Sequence, residues 1–172
     1  MARIVADTSA LVSLGTAANH DVRPLDHLVD EHEVVVPERV VGELRETAAY
    51  DDRSGTGAGA VLERLSRIEV HQTELDPDFP LDDGENAAVT LANDLEATQL
   101  LCDEFNQLAL VHASLATTRL VTTPTLLIAF MRNGHLEAAD ALEVLSDLRA
   151  ARSWEGNAYV SRAVATLDRE LD

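Results

Sequence analysis

Lysine is missing from this 172-residue chain: all 13 basic residues are Arg, set against 31 acids, and the formal net charge is −18. Lysine is normally among the commonest residues. Its complete replacement on so acidic a chain points to adaptation to molar intracellular salt, as in a halophilic archaeon. There the Debye length falls to about 3 Å and acidic self-repulsion is screened. A high-GC genome that exchanges Lys for Arg would leave the same bias. Cysteine occurs once, which excludes an internal disulfide framework and any Cys-based zinc site. Aromatic residues make up 3%, so Leu, Val and Ala must build the core, as suits helices packed on a sheet. No apolar stretch approaches the ~20 residues that span a bilayer, and no charged leader precedes an apolar run. A cytoplasmic protein with no membrane association is expected. With 46% hydrophobic against 26% charged residues, the composition is that of a folded globular chain. The length suits one domain better than two.

Short β-branched runs alternate along the chain with helical patterns. Strands are expected at residues 3–6 and 34–36, in "IEVHQ" (68–72) as an edge strand, in "TQLLCD" (98–103) and in "RLVTT" (119–123). Helices are expected from Thr8, from Pro37 as a first helical residue, over 60–67, 85–94 and 104–115, and from Pro124 to a stop at Gly134. "RSGTGAG" (53–59) reads as a loop, the most flexible point in the sequence. Strands separated by helices imply an α/β fold, three layers deep, with a doubly wound parallel central sheet. After Gly134 two further stripes keep helical spacing: Leu136, Ala139, Leu142, Leu145 and Leu148, then Tyr159, Val160, Ala163, Val164, Leu167 and Leu171. Residues 1–136 thus read as a core and 137–172 as a C-terminal helical extension packed on it. Trp154, between the stripes, is the single Trp and would anchor a contact there.

In doubly wound sheets, ligands bind beyond the carboxyl ends of the strands. Asp7 and Asp103 stand at two such ends, and Glu43 and Glu85 fall early in helices of the same pattern. Each has a structural explanation as well. Asp7 and Asp103 precede helical runs and could be N-caps. Glu85 follows Asp82 by three residues, as in a capping box, and Glu43 could pair with Arg39 on a solvated face.

Taken together, "VADTSALVSL" (Asp7, Thr8, Ser9), "VPERVVGEL" (Glu43), "LDDGENAAVTLA" (Gly84, Glu85), "LLCDE" (Asp103, Glu104) and "LVTTPTLLIAFMRNGHL" (Thr123) resemble the motifs of the PIN-domain nuclease family, in order, from residue 3 to about 136. The resemblance implies a compact α/β/α fold with a parallel sheet, residues 1–136 being the nuclease core. It also implies metal-dependent cleavage of single-stranded or structured RNA. Asp7, Glu43, Glu85 and Asp103 would be the acidic quartet that holds Mg²⁺ or Mn²⁺, with Thr8 or Ser9 and Thr123 as nearby hydroxyls. Glu104 is either a fifth carboxylate of the metal site or a first-turn helix acid favoured by the dipole. The chemistry asks for the same residue types: hard cations take oxygen ligands, and paired ions about 4 Å apart can activate water and stabilise a leaving oxygen. The family includes toxins of toxin–antitoxin pairs, so an antitoxin protein or a second copy of the chain is a possible partner for the C-terminal stripes. A domain that keeps the fold but regulates or scaffolds is the alternative.

Some relatives carry a basic residue a few positions after the "DE" pair, whereas this chain has Phe105, Asn106 and Gln107. Substrate grip must come from elsewhere, and a small patch with Arg45 and Arg53 is the expectation. An acidic chain otherwise binds nucleic acid poorly at low salt. Other chemistries fit less well. The six histidines (His20, His27, His32, His71, His112 and His135) show no close pair at zinc-ligand spacing, and Cys102 lies in an apolar strand. No glycine-rich phosphate loop follows the first strand. Ser9 stands where an aspartyl phosphatase would need a second Asp.

Overall fold

The computed structural model describes residues 1–171. Five strands pair in parallel in one sheet: β1 (Arg3–Ala6), β2 (Glu33–Pro37), β3 (Glu69–His71), β4 (Gln99–Leu101) and β5 (Arg119–Val121). Their order is β3-β2-β1-β4-β5. The connecting helices are α1 (Thr8–Thr16), α2 (Pro24–Glu31), α3 (Glu38–Ala48), α4 (Arg53–Leu62), α5 (Asp83–Asp94), α6 (Leu108–Ser114) and α7 (Thr123–Arg132), followed by α8 (Ala138–Ala151) and α9 (Ala158–Arg169). This is the expected three-layer α/β/α arrangement with a central parallel sheet.

Strand alternation builds the two cores. Ile4, Ala6, Val34 and Val36 pack on one face with Leu11, Leu14, Leu44 and Leu126, while Val5, Val35, Leu100 and Cys102 pack on the other with Val89, Leu91, Leu108 and Val111. Both faces are covered, which is why the strands read as unbroken apolar runs. A third cluster joins α7, α8 and α9 through Leu127, Leu145, Leu148, Val160 and Leu167. Trp154 belongs to this cluster and is buried within the chain, so it is not free to anchor a partner as expected. No described helix is long and apolar enough to cross a membrane.

Three expectations are corrected. Pro37 ends β2 and flanks α3, which begins at Glu38. Helix α2 was not anticipated; Pro24 takes its first position after a left-handed Arg23 (φ 44°), and Leu25, Leu28 and Val29 are buried. The glycine-rich segment 53–59 is not a loop but most of α4, capped by the Asp52 carboxylate, which accepts from the Gly55 N–H at 2.7 Å. Its glycines allow two helices to touch backbone to backbone. A Cβ on Gly15 of α1 would lie 2.1 Å from the Gly57 carbonyl oxygen, and one on Gly57 would lie 2.8 Å from the Val12 carbonyl oxygen. Helix propensity disfavours glycine, but the close approach overrides it.

That contact is testable. Gly15→Ala should lower stability by about 1–3 kcal/mol, since the neighbour it strikes is backbone and cannot move aside. Gly59→Ala meets nothing within 4 Å and should be neutral or raise stability by up to about 1 kcal/mol. Thermal unfolding followed by circular dichroism measures both. An unchanged melting temperature for Gly15→Ala would refute the close packing of α1 on α4.

Candidate metal centre

The sheet order reverses at β1, which has β2 on one side and β4 on the other; this is where doubly wound sheets open a crevice. Asp7 leaves the end of β1 with its N–H bonded to the Leu101 carbonyl at 2.9 Å. Its side chain makes no capping bond to α1. Instead its Oδ2 accepts from the Ser9 hydroxyl at 2.9 Å and the Cys102 thiol at 3.6 Å. Ser9 in turn accepts from the Asp103 N–H at 3.0 Å, so one hydroxyl ties the ends of β1 and β4 together.

Glu43, on α3, accepts from the Thr8 hydroxyl at 3.0 Å. The expected Arg39 partner pairs with Asp83 instead, at 3.7 Å. Gly84 makes room for Glu43: a Cβ at position 84 would stand 2.9 Å from both carboxylate oxygens. Glu85 follows on the first turn of α5, where Asp82 caps its N–H at 2.8 Å and its side chain is buried.

Asp7, Glu43, Glu85 and Glu104 line one pocket of about 230 Å³, together with Thr8, Ser9, Asp82, Gly84 and Arg152. Asp103 does not line it. Its carboxylate is buried and is held by Thr123, whose N–H donates at 2.7 Å and whose hydroxyl donates at 2.6 Å. Five carboxylates therefore line the pocket, the helix cap Asp82 among them, with Glu104 present and Asp103 absent, and Thr123 serves Asp103 rather than the cavity. A broader groove of about 1030 Å³ adjoins it, sharing Glu43, Asp82 and Gly84. Among the described residues no three His, Cys, Asp or Glu side chains converge closely enough to hold a metal ion; the carboxylates surround the cavity without meeting at a point.

Crowding these acids away from water opposes their ionisation. Burial raises Asp7 to about 6, against the opposing Ser9 hydrogen bond, and the charges of Glu104 and Glu43 add to the rise. Glu85 is raised to about 7, by burial first and then by Asp82, Glu104 and Asp7. Glu43 and Glu104 are also raised, each by desolvation first and next among the raising causes by the charge of Asp82. Two residues of this pocket were not singled out in the sequence. Asp82 is legible there only as a cap. Arg152 is more than a hundred residues distant from Asp7 and Glu43, and no local pattern marks it.

A PIN-domain family model matches residues 3–169. The chain belongs to the PIN-domain family. No curated protein shows significant similarity to it. PIN domains are generally nucleases and typically use divalent metal ions. The pocket fits such an ion in the chemistry of its donors. It offers carboxylate and hydroxyl oxygens, the ligands of hard cations, and five acids share its lining with a single guanidinium.

The pKa shifts fix the sign of a pH effect. A carboxyl whose pKa is higher folded than unfolded binds its proton more tightly in the folded state. Stability is therefore fully retained below the unfolded value, near 4.5 for Glu85, and lost as pH rises through about 7. Glu85→Gln removes this titration. In metal-free buffer it should melt higher than the wild type near pH 8, and the gap should close towards pH 5. A gap independent of pH would show that Glu85 is not strained by its neighbours.

Proposed function

We propose that this PIN domain is a metal-dependent endoribonuclease that hydrolyses phosphodiester bonds in single-stranded or structured RNA, with Mg²⁺ or Mn²⁺ as cofactor. The observation that carries this reading is the lining of one small pocket by Asp7, Glu43, Glu85 and Glu104, drawn from four separate segments at the carboxyl end of the sheet. A scaffold has no physical need to crowd these carboxylates and the capping Asp82 around one cavity at a cost to folding. These four would hold the ion, and Asp103 would reinforce it from behind. When bound, a divalent ion supplies an activated water and neutralises charge on the phosphate.

The chain's own residues set up that chemistry. Ser9 orients Asp7 and fixes the Asp103 backbone, and Thr8 orients Glu43. Thr123 locks Asp103 with two hydrogen bonds, which tie the end of β4 to the junction of β5 and α7. Gly84 leaves the space in which the Glu43 carboxylate rests. No nucleophilic side chain is required, and buried Cys102 is poorly suited to be one because burial pushes its thiol far above the usual range.

The finer reading is of a toxin in a toxin–antitoxin pair from a halophilic archaeon, acting in the cytoplasm. An antitoxin protein or a second copy of the chain would be its partner. The motif resemblance supports the toxin, and the absence of Lys with a net charge of −18 supports the halophile.

Purified protein at high KCl should cleave mixed-sequence single-stranded RNA when Mn²⁺ is added and not when it is chelated. Asp7→Asn should abolish cleavage, melt higher than the wild type without metal, and gain less from Mn²⁺. The wild-type gain should approach about 2.7 kcal/mol at one hundred times the dissociation constant. Were Asp7 only a cap, Asn would replace it equally well and neither melting effect would appear. A folded wild type that binds Mn²⁺ but leaves every RNA intact would establish the regulatory module instead.

Salt provides an independent check. Screening of the −18 charge should outweigh the usual weakening of phosphate contacts, so activity should rise from low to molar KCl. A monotonic fall in a protein that stays folded would remove the halophilic reading.

A further inference from the structure

We propose that Arg152 is the phosphate-binding residue of the acidic pocket, which makes the turn between α8 and α9 part of the RNA site. The inference rests on the ribonuclease reading above. A polyanion entering a pocket with five carboxylates needs a cation within it, and among the described residues Arg152 is the only basic one in its lining. The two arginines expected for this task are elsewhere. Arg53 is spent on Asp147, which accepts from both of its terminal nitrogens at 2.9 and 2.8 Å. Arg45 is exposed on α3 and lines neither the pocket nor the adjoining groove.

Arg152 is held in place but not neutralised. Its Nη1 donates to the Ser54 hydroxyl at 3.1 Å, while its Nε is buried without a partner. Among the described residues no carboxylate lies within 4.0 Å of it, although its charge acts on Glu104 and Asp103. A guanidinium that served only as a counter-ion would close on one of the acids around it. Instead its Nη2, which makes no hydrogen bond among the described residues and is not closed off by burial, remains free to donate to a phosphate oxygen while Ser54 steadies Nη1.

The backbone around Arg152 is braced for this position. Its N–H closes α8 on the Leu148 carbonyl at 2.8 Å, and Ser153 turns the chain with φ 56°. Trp154 then packs edge-on against Phe105 with ring centres 5.1 Å apart, and Phe105 stacks on Tyr159 at 5.6 Å. Phe105 directly follows Glu104, so these rings fasten the α8–α9 turn to the same segment that brings a carboxylate to the pocket.

The test uses the 172-residue chain at fixed KCl, with a fluorescein-labelled pool of mixed-sequence single-stranded RNA. Binding is read by anisotropy with Ca²⁺ in place of Mn²⁺ to suppress turnover. Mn²⁺ binding is measured separately by calorimetry without RNA. Arg152→Ala should weaken RNA binding about 10-fold or more, the loss expected for a charged hydrogen-bonding contact. The slope of log affinity against log salt should become more positive by about 0.7, the loss of one phosphate contact on a single strand. Mn²⁺ affinity should be unchanged or tighter. Arg152→Lys should recover part of the RNA affinity, and Ser54→Ala, which removes only the bond that steadies the guanidinium, should lose less than Arg152→Ala.

A folded Arg152→Ala protein that binds Mn²⁺ and RNA as the wild type does would overturn the proposal while leaving the ribonuclease reading intact. Loss of Mn²⁺ binding with RNA binding unchanged would also overturn it, by showing that Arg152 organises the acids instead. A wild type that neither binds nor cleaves RNA would remove the ribonuclease reading and this inference with it.

Discussion

Mutual repulsion among carboxylates held out of water is the constraint on which the rest of this protein depends. Asp7 and Glu85 are nearly excluded from solvent, and Glu43 and Glu104 face the same cavity. Nothing in ordinary folding energetics gathers like charges in this way, because each ionisation makes the next less favourable. The surrounding structure is organised to tolerate the arrangement. Hydroxyls from Ser9 and Thr8 donate to the acids, Thr123 satisfies the one that lies behind, and a single guanidinium stands nearby. The pocket is a place prepared for positive charge.

The parallel sheet makes such a pocket possible. In the order β3-β2-β1-β4-β5 the chain leaves β1 and β4 in the same direction, side by side. The next residues, Asp7 and the Cys102–Glu104 stretch, emerge at one edge. Helices α3 and α5 bring Glu43 and Glu85 to the same edge from the flanking layers, with Gly84 keeping the two helices close enough for their acids to share a cavity. Residues distant in sequence therefore meet because backbone hydrogen bonding fixes the strands and apolar packing fixes the helices.

The C-terminal helices add to this frame in two ways. They complete a core through Leu145, Leu148, Val160 and Leu167, and they deliver Arg152 to the rim of the acids. Arg53 and His20, both bonded to Asp147 of α8, secure that attachment from α4 and the end of α1, and the Asp147 carboxyl is held down to about 2, chiefly by its Arg53 hydrogen bonds. The same ion pair occupies both terminal nitrogens of Arg53. A strongly acidic protein with few cations thus uses one to bind its own extension and keeps another for the pocket.

The sequence by itself determined the fold class and the order of strands and most helices along the chain, and it grouped Asp7, Glu43, Glu85 and Asp103 in one family pattern, with Glu104 either a fifth carboxylate or a first-turn helix acid. Those features are local: apolar period, Pro and Gly punctuation, and short motifs carried within a few residues. It misread segment 53–59, because three glycines in a row of seven signal a loop unless a neighbouring helix presses against them, as α1 does. It also grouped Asp103 with the pocket-facing acids. Adjacent residues at a strand end turn in different directions, and only the hydrogen bonds to Thr123 decide that Asp103 turns inward while Glu104 faces the cavity. Arg152 was beyond reach for the same reason. Its partner Ser54 lies 98 positions away, and a contact of that range is set by how α8 docks, which no periodicity within the chain records.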